Sequence, residues 1–164
     1  MVPKLILKPG REKSLLRRHP WIFSGGIARV DGKPQGGDTV AVHAAQGEFL
    51  AWAAYNPASQ ISARVWSWSQ NETIDAAFFE RRIRAAIASR AHPGIPAESC
   101  RLVYGEADGL PGLIADRYGD TVVVQLASVG AERWRDAIAD ALLNVTGAAR
   151  VYERSDLDVR ELEG

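Results

Sequence analysis

Basic side chains cluster near the N-terminus in a spacing that suits a polyanion partner. The basic block comprises five residues within positions 8–18, namely Lys8, Arg11, Lys13, Arg17 and Arg18. His19, Trp21 and Phe23 follow directly. Because cations neutralise phosphates while aromatic rings stack on unpaired bases, this pattern favours RNA contact. A solvated surface without a partner is the alternative for the cations, and for Trp21 and Phe23 we expect packing in the core.

The remaining reactive residue types do not form a catalytic set. Cys100 is distant in sequence from all three histidines, so we expect a small buried side chain rather than a nucleophile. The histidines lack the spacing of metal ligands. Glu106 and Asp108 could form an acid/base pair, but we expect them to cap their own turn. No Gly-x-Gly-x-x-Gly motif and no P-loop occurs in the sequence.

Charge is unevenly distributed along the 164 residues, although 20 basic and 20 acidic side chains balance overall. Residues 1–33 carry eight basic and two acidic side chains, whereas residues 98–164 carry seven and thirteen. A polyanion partner is therefore predicted for the N-terminal end. The single cysteine excludes a disulfide framework within the chain. No apolar run of membrane-spanning length and no signal-peptide pattern is present, so we expect a cytoplasmic protein without membrane contact.

Short strands separated by glycine-rich turns dominate residues 1–70 and predict a small β-barrel. Strands are predicted over 4–8, 27–30, 39–43, 48–55 and 61–68. Period-two alternation in the last of these places Ile61, Ala63 and Val65 on one face. A two-turn helix is predicted over residues 11–18, with Leu15 and the adjoining Leu16 facing inward and Pro20 ending it.

The pattern changes after residue 71 and predicts an α+β fold with the order β-β-β-α-β. A helix is expected over 75–91, with Thr73 or Asp75 as its N-cap. Strands over 101–104, 113–118, 121–127 and 150–153 and a helix over 131–145 follow. The predicted domains are a barrel (1–70), a connecting helix and linker (71–97) and an α+β domain (98–164). The polar segment 154–164 suggests that the chain stops at a linker.

Four segments carry a family resemblance. They are residues 11–25 (REKSLLRRHPWIFSG), 55–66 (YNPASQISARVW), 105–118 (GEADGLPGLIADRY) and 152–160 (YERSDLDVR). Together they resemble the N-terminal part of the ribosomal RNA large subunit methyltransferase I family, whose members are S-adenosylmethionine-dependent RNA 5-methylcytosine methyltransferases. The resemblance implies a PUA-like barrel that binds RNA, then a central α+β domain, then a Rossmann-like methyltransferase domain.

The third domain of that family is absent from this sequence, together with its cofactor loop and catalytic cysteine motif. Cys100 does not lie in a matching motif, so no catalytic, cofactor-binding or metal-binding residue is predicted. S-adenosylmethionine is expected only for a full-length parent, and the 164-residue chain alone is expected to be inactive.

The predicted function is therefore to hold structured large-subunit ribosomal RNA for the missing catalytic domain. The candidate RNA-binding residues are Lys8, Arg11, Lys13, Arg17, Arg18, His19 and Trp21. No DNA partner is expected. Two alternatives stay open: a free-standing RNA-binding module, and a protein-interaction unit whose acidic second half docks a basic partner or a second copy of the chain.

Overall fold

The first half of the chain is a curled sheet of six strands. The computed structural model describes residues 1–155 and residue 161. The strands are β1 (Lys4–Leu7), β2 (Trp21–Phe23), β3 (Ile27–Asp31), β4 (Thr39–His43), β5 (Phe49–Tyr55) and β6 (Ile61–Ser67), arranged in the order β2-β6-β5-β4-β1-β3. β1 runs parallel to β4, and the other neighbouring strands are antiparallel. This half-barrel confirms the predicted small barrel.

Alternating apolar side chains fill the inside of the half-barrel. The face predicted for residues 61–68 is correct for Ala63 and Val65, which lie in this core at 3% exposure or less. Ile61, predicted on the same face, is half-buried and does not belong to this core. Leu5 and Leu7 of β1 and the valines of β4 pack beside them. Leu15, from the short helix α1 (Lys13–Leu16), joins the same core and holds α1 against the barrel.

The second half contains a four-stranded sheet with helices on one face, which confirms the α+β class and the β-β-β-α-β order. Its strands are β7 (Ser99–Tyr104), β8 (Leu113–Tyr118), β9 (Thr121–Leu126) and β10 (Arg150–Glu153), in the order β10-β9-β8-β7. The helices are α2 (Ala76–Ser89), α3 (Val129–Arg133) and α4 (Arg135–Thr146). β10 runs parallel to β9. Because two parallel neighbouring strands can be joined only by a crossover connection, α3 and α4 form that connection.

Both halves share a buried contact on the outside of the barrel. Ala54 of β5 and Trp66 of β6 belong to the same core as the apolar faces of α2 and α4. Gly130 of α3 lies so close to these two residues that an added Cβ would overlap Ala54 and sit 3.0 Å from the Trp66 ring. Because α2 packs into this second core, it is more than a spacer, and the domain boundaries at 70 and 97 stay predictions.

Several local predictions need correction. The helix predicted over residues 11–18 is the single turn α1, and Leu16 is 64% exposed rather than inward. A one-turn helix buries one apolar side chain on its core side, and Leu15 takes that place. The helix predicted over 131–145 is divided into α3 and α4 at Trp134. Asp75 is the N-cap of α2, because its carboxylate accepts a hydrogen bond from the Phe78 amide at 2.8 Å.

Candidate nucleic-acid interface

The basic block surrounds the turn that joins β1 to α1 and the end of α1. All five of its cations are exposed. Among residues 1–155 and 161, none of the five takes part in an ion pair. Glu12, half-buried, is the acidic residue within this segment. The block is therefore a cationic surface whose charges the described part of the chain leaves unneutralised.

A hydrogen-bonded turn after α1 directs the chain from the block into β2. The Arg18 amide donates to the Leu15 carbonyl at 2.8 Å, and the His19 amide donates to the Ser14 carbonyl at 3.0 Å. This is the Schellman arrangement, which requires a left-handed residue at the position that Arg18 occupies with φ of 64°. Glycine is the usual residue there. Arg18 instead projects a side chain whose guanidinium lies 5.0 Å from the centre of the Trp68 ring.

Three rings follow the block and cluster at the surface. The centroid of His19 lies 5.9 Å from that of Trp21 and 6.5 Å from that of Phe23, and the two larger rings are 6.4 Å apart. Phe23 is 50% exposed and Trp21 is half-buried. The expectation that Trp21 and Phe23 pack in the core is therefore wrong. In a three-residue strand at the sheet edge, the middle residue Ile22 faces the core and its neighbours point away.

Trp21 links the half-barrel to the second half of the chain. It pairs across strands with Arg64, whose guanidinium lies 5.3 Å from the indole centre. The indole N–H donates to Oε1 of Glu106 at 3.0 Å, and Nη1 of Arg64 donates to the same oxygen at 3.4 Å. Glu106 belongs to the 3-10 turn after β7. Its carboxylate thus fixes the tryptophan in one position, instead of capping its own turn as predicted.

Asp108, two residues later, does cap its turn as predicted. Its Oδ2 accepts a hydrogen bond from the Tyr104 amide at 2.6 Å. Arg90 at the end of α2 also donates to both carboxylate oxygens, at 2.9 and 2.8 Å. The two carboxylates of this segment therefore bind different arginines. Glu106 connects the turn to the half-barrel and Asp108 connects it to the end of α2, so they do not act as an acid/base pair.

A groove of about 900 Å³ lies between the half-barrel and the β7–β8 connection. Its aromatic lining comes from both sides: Trp21 and Phe23 from β2, and Tyr104 from the end of β7. Arg64 and Glu106 lie on its polar side, and the lining also includes residues 58–61, 105–107, Gly112, Ile114, Ala127 and Glu161. His19 connects the basic block to the groove, because it follows Arg18 in the chain and its ring contacts that of Trp21 in the groove lining.

Two groups outside this region have shifted pKa values. Burial raises the pKa of the Glu72 carboxyl, but hydrogen bonds from Ser67 and Arg82 and the Arg82 charge outweigh burial and hold it below the ordinary value. The hydrogen bond to Asp116 raises the pKa of Arg101. Both pairs are structural, since Glu72 joins β6 to α2, and the Arg101–Asp116 pair bridges β7 and β8.

The other candidates from the sequence form no site. Cys100 is half-buried beside the second core, and its Sγ lies 3.8 Å from the Ala97 carbonyl. Within the described residues, no three His, Cys, Asp or Glu side chains come together in a way that could hold a metal ion. No helix in the same part of the chain is long and apolar enough to cross a membrane. Residues 156–160 of the last family segment lie outside the described residues.

Part of this surface is not evident from the sequence. The sequence pattern does not identify Trp68, Arg64 or Tyr104 as part of it, and it predicts that Glu106 caps its own turn. Alternation in residues 61–68 did place Arg64 on the face away from the barrel core. No sequence signal showed that Glu106 from the second half would meet it there, because that contact spans 42 residues.

The half-barrel and the whole chain both have known relatives. Residues 5–68 match the family described as PUA-like domain. Over its whole length the chain is 52% identical to ribosomal RNA large subunit methyltransferase I of Klebsiella pneumoniae and of Erwinia tasmaniensis, and 49% identical to that of Escherichia coli. The chain is a homologue of the N-terminal part of these methyltransferases. It spans 42% of the length of these curated relatives.

Solved structures share the fold. A protein from Streptococcus mutans assigned as a SAM-dependent methyltransferase superposes with a TM-score of 0.78 at 20% identity, over 94% of this chain and 41% of its own. A second, SMU.776, assigned as a methyltransferase and solved in complex with SAH, superposes with a TM-score of 0.79 at 21% identity, over 97% and 41% of the two chains. At these identities the likeness establishes the arrangement of half-barrel and four-stranded sheet.

Proposed function

We propose that this chain binds structured large-subunit ribosomal RNA and presents it to the catalytic domain of an S-adenosylmethionine-dependent cytosine-5 methyltransferase. The observation that carries the proposal is the exposed basic block on a PUA-like half-barrel, whose cations make no ion pair with the residues that the structure describes. Lys8, Arg11, Lys13 and Arg17 bind phosphates from the outer side of α1. Arg18, braced by Trp68, and His19 extend the contact towards Trp21. Arginine suits this role because its planar fork matches phosphate oxygens.

The catalytic step itself is not assigned to residues of this chain. S-adenosylmethionine supplies the methyl group when it is bound to an enzyme of this class. The glycine-rich segment 105–112 does not fit that cofactor, since it links antiparallel strands and its Asp108 is occupied by Arg90. We expect the isolated chain to transfer no methyl group to ribosomal RNA. Incorporation of labelled methyl groups above background would contradict this.

The decisive experiment measures RNA affinity against salt concentration. The probe is a labelled hairpin fragment of large-subunit ribosomal RNA, and the variant is Arg11→Ala/Arg17→Ala. If both side chains neutralise phosphates, the slope of log affinity against log salt becomes shallower by about 1.4–1.8, depending on strandedness. Lys4→Ala/Lys33→Ala is the matched control, because both lysines are exposed and form no ion pair within the described part of the chain, but lie at the other end of β1.

The control should bind with a slope close to that of the native chain. Equal slopes for the native chain and the Arg11/Arg17 variant, with both folded, would overturn the assignment of the basic block. Equal losses in the variant and the control would show that net charge, rather than this surface, governs binding.

A second candidate function is protein interaction through the open face of the second sheet. Tyr118 and Tyr152 on this sheet are 59% and 62% exposed, which favours a docking role. Sedimentation of the chain alone tests whether that face joins two copies, and a monomer at all concentrations would contradict self-association.

A further inference from the structure

We propose that the groove between the half-barrel and the β7–β8 connection holds one unpaired base of the RNA whose phosphates lie on the basic block. The inference rests on the proposed function, since it assumes RNA on that surface, and it adds a second contact of different chemistry. The block supplies charge, whereas the groove supplies ring faces and one carboxylate oxygen that receives no hydrogen bond from the described residues.

Aromatic faces on both walls of the groove suit a planar ligand. Phe23 from β2 and Tyr104 from β7 are 50% and 53% exposed. Trp21 completes the lining, and its indole is held by Arg64 and Glu106. Aromatic rings are mostly buried in folded proteins, so two half-exposed rings that face one groove indicate a ligand-binding surface. The groove, at about 900 Å³, lies within the range of roughly 300–1,000 Å³ found for small-molecule sites.

The polar side of the groove can contact the edge of a base. Oε1 of Glu106 already accepts hydrogen bonds from Trp21 and Arg64. Within the described residues, no hydrogen bond reaches Oε2 of the same carboxylate. A carboxylate oxygen accepts from amino groups, as glutamate does from the amino group of cytosine. A base with an exocyclic amino group therefore fits better than uracil.

The charge distribution favours a base within an RNA over a free nucleotide. Among the lining residues that the structure describes, Arg64 is the one cation, and it is bonded to Glu106. The phosphate of a free nucleotide would find no available cation there. The cations of the basic block, which make no ion pair with the described residues, lie outside the groove. The last of them, Arg18, is separated from the start of β2 by two residues. An RNA strand with phosphates on the block and one base turned into the groove satisfies both surfaces.

The test compares three RNAs and three forms of the full chain. The first RNA is a hairpin with an unpaired six-nucleotide loop containing cytosine and adenine, the second is a blunt duplex with the same stem sequence, and the third is the same hairpin with a loop of uridine only. The variant Phe23→Ala/Tyr104→Ala removes the two exposed rings. Tyr118→Ala/Tyr152→Ala is the matched control, because it removes two exposed rings of the second half that do not line the groove.

We expect the native chain and the control to prefer the hairpin over the duplex. The ring variant should lose about 5- to 150-fold in hairpin affinity, the range measured for loss of one stacked base. Its duplex affinity and salt slope should not change, because no phosphate contact is removed. A hairpin whose loop is entirely uridine should bind the native chain less tightly than the cytosine and adenine loop.

Each other outcome is decisive. Hairpin binding by the folded ring variant equal to that of the native chain overturns the base site while leaving the basic block intact. A lowered unfolding temperature in the ring variant with unchanged RNA binding shows that the two rings stabilise the fold instead of binding a base. If the affinity of the native chain for the duplex does not depend on salt concentration, the proposed function itself is overturned. The duplex measurement therefore tests the proposed function separately from the base site.

Discussion

Replacing Arg18 with glycine separates the role of its backbone from the role of its side chain. Glycine relieves the strain of the left-handed backbone, but it removes the guanidinium and its contacts. Arg18 holds a left-handed conformation with φ of 64°. A non-glycine residue pays about 1–2 kcal/mol there, and glycine avoids that cost. Glycine loses roughly 0.5–1 kcal/mol more backbone entropy on folding. Loss of the cation–π contact with Trp68 removes about 0.5–1 kcal/mol at an exposed site. The expected net change in the free energy of unfolding is close to zero, within about 1 kcal/mol.

Two control variants fix the interpretation. Arg18→Val removes the same charge but places a β-branched residue in the left-handed region, so it should destabilise by about 1 kcal/mol or more relative to Arg18→Gly. Arg17→Gly removes a neighbouring charge at a residue with φ of −87°, where glycine brings no relief. It should destabilise the chain by roughly 0.5–1 kcal/mol.

Urea unfolding and RNA titration across salt concentrations provide the two measurements. Both Arg18 variants should lose about 0.7–0.9 in salt slope, corresponding to one phosphate contact. If Arg18→Gly destabilises as much as Arg18→Val, the argument from the backbone is wrong. If Arg18→Gly keeps the native slope while folded, Arg18 contacts no phosphate.

Three other changes test the framework that holds the interface. Asp108→Ala should reduce the free energy of unfolding by about 2–3 kcal/mol, measured by urea, because it leaves Arg90 without its bidentate partner. Gly130→Ala should cost about 1–3 kcal/mol by overpacking against Ala54 and Trp66, and an unchanged unfolding temperature would contradict this. Glu72→Gln should be less stable than the native chain at neutral pH by about 1–2 kcal/mol. That difference should shrink as pH falls below the ordinary carboxyl pKa of 4.5 and through the lower pKa of folded Glu72; a constant difference would contradict the lowered pKa.

Period-two and helical patterns predicted most elements, because their burial is decided locally. The valines of β4 and the inward residues of β6 alternate as expected on a half-buried sheet. Asp75 starts α2 through a bond to an amide three residues away, and Gly119 makes the β8–β9 turn with φ of 60°. Each of these depends on neighbours within a few residues, so the sequence specifies them directly.

Contacts between the two halves could not be predicted from the sequence. Trp66 alternates to the outside of the barrel, which alone predicts exposure, yet it is 2% exposed because α2 and α3 cover it. Trp21 and Phe23 were expected in the core because aromatic rings usually bury. Their strand has three residues at a sheet edge, so the side that faces the core has room for Ile22 alone. The exposure of these three aromatic residues therefore depends on which elements pack against their strands, and the local sequence does not specify that packing.

The second half of the chain helps to position the proposed RNA surface of the half-barrel. The Glu106 carboxylate, from the turn after β7, is the hydrogen-bond acceptor for the Trp21 indole and also binds Arg64. Removing the second half would free the indole from its acceptor, expose Trp66 and open one wall of the groove. We expect a half-barrel alone to keep the basic block and the salt-dependent RNA binding proposed for it. If the groove holds a base as proposed, discrimination between unpaired and paired RNA requires both halves, because ring faces for a base come from β2 and from β7 together.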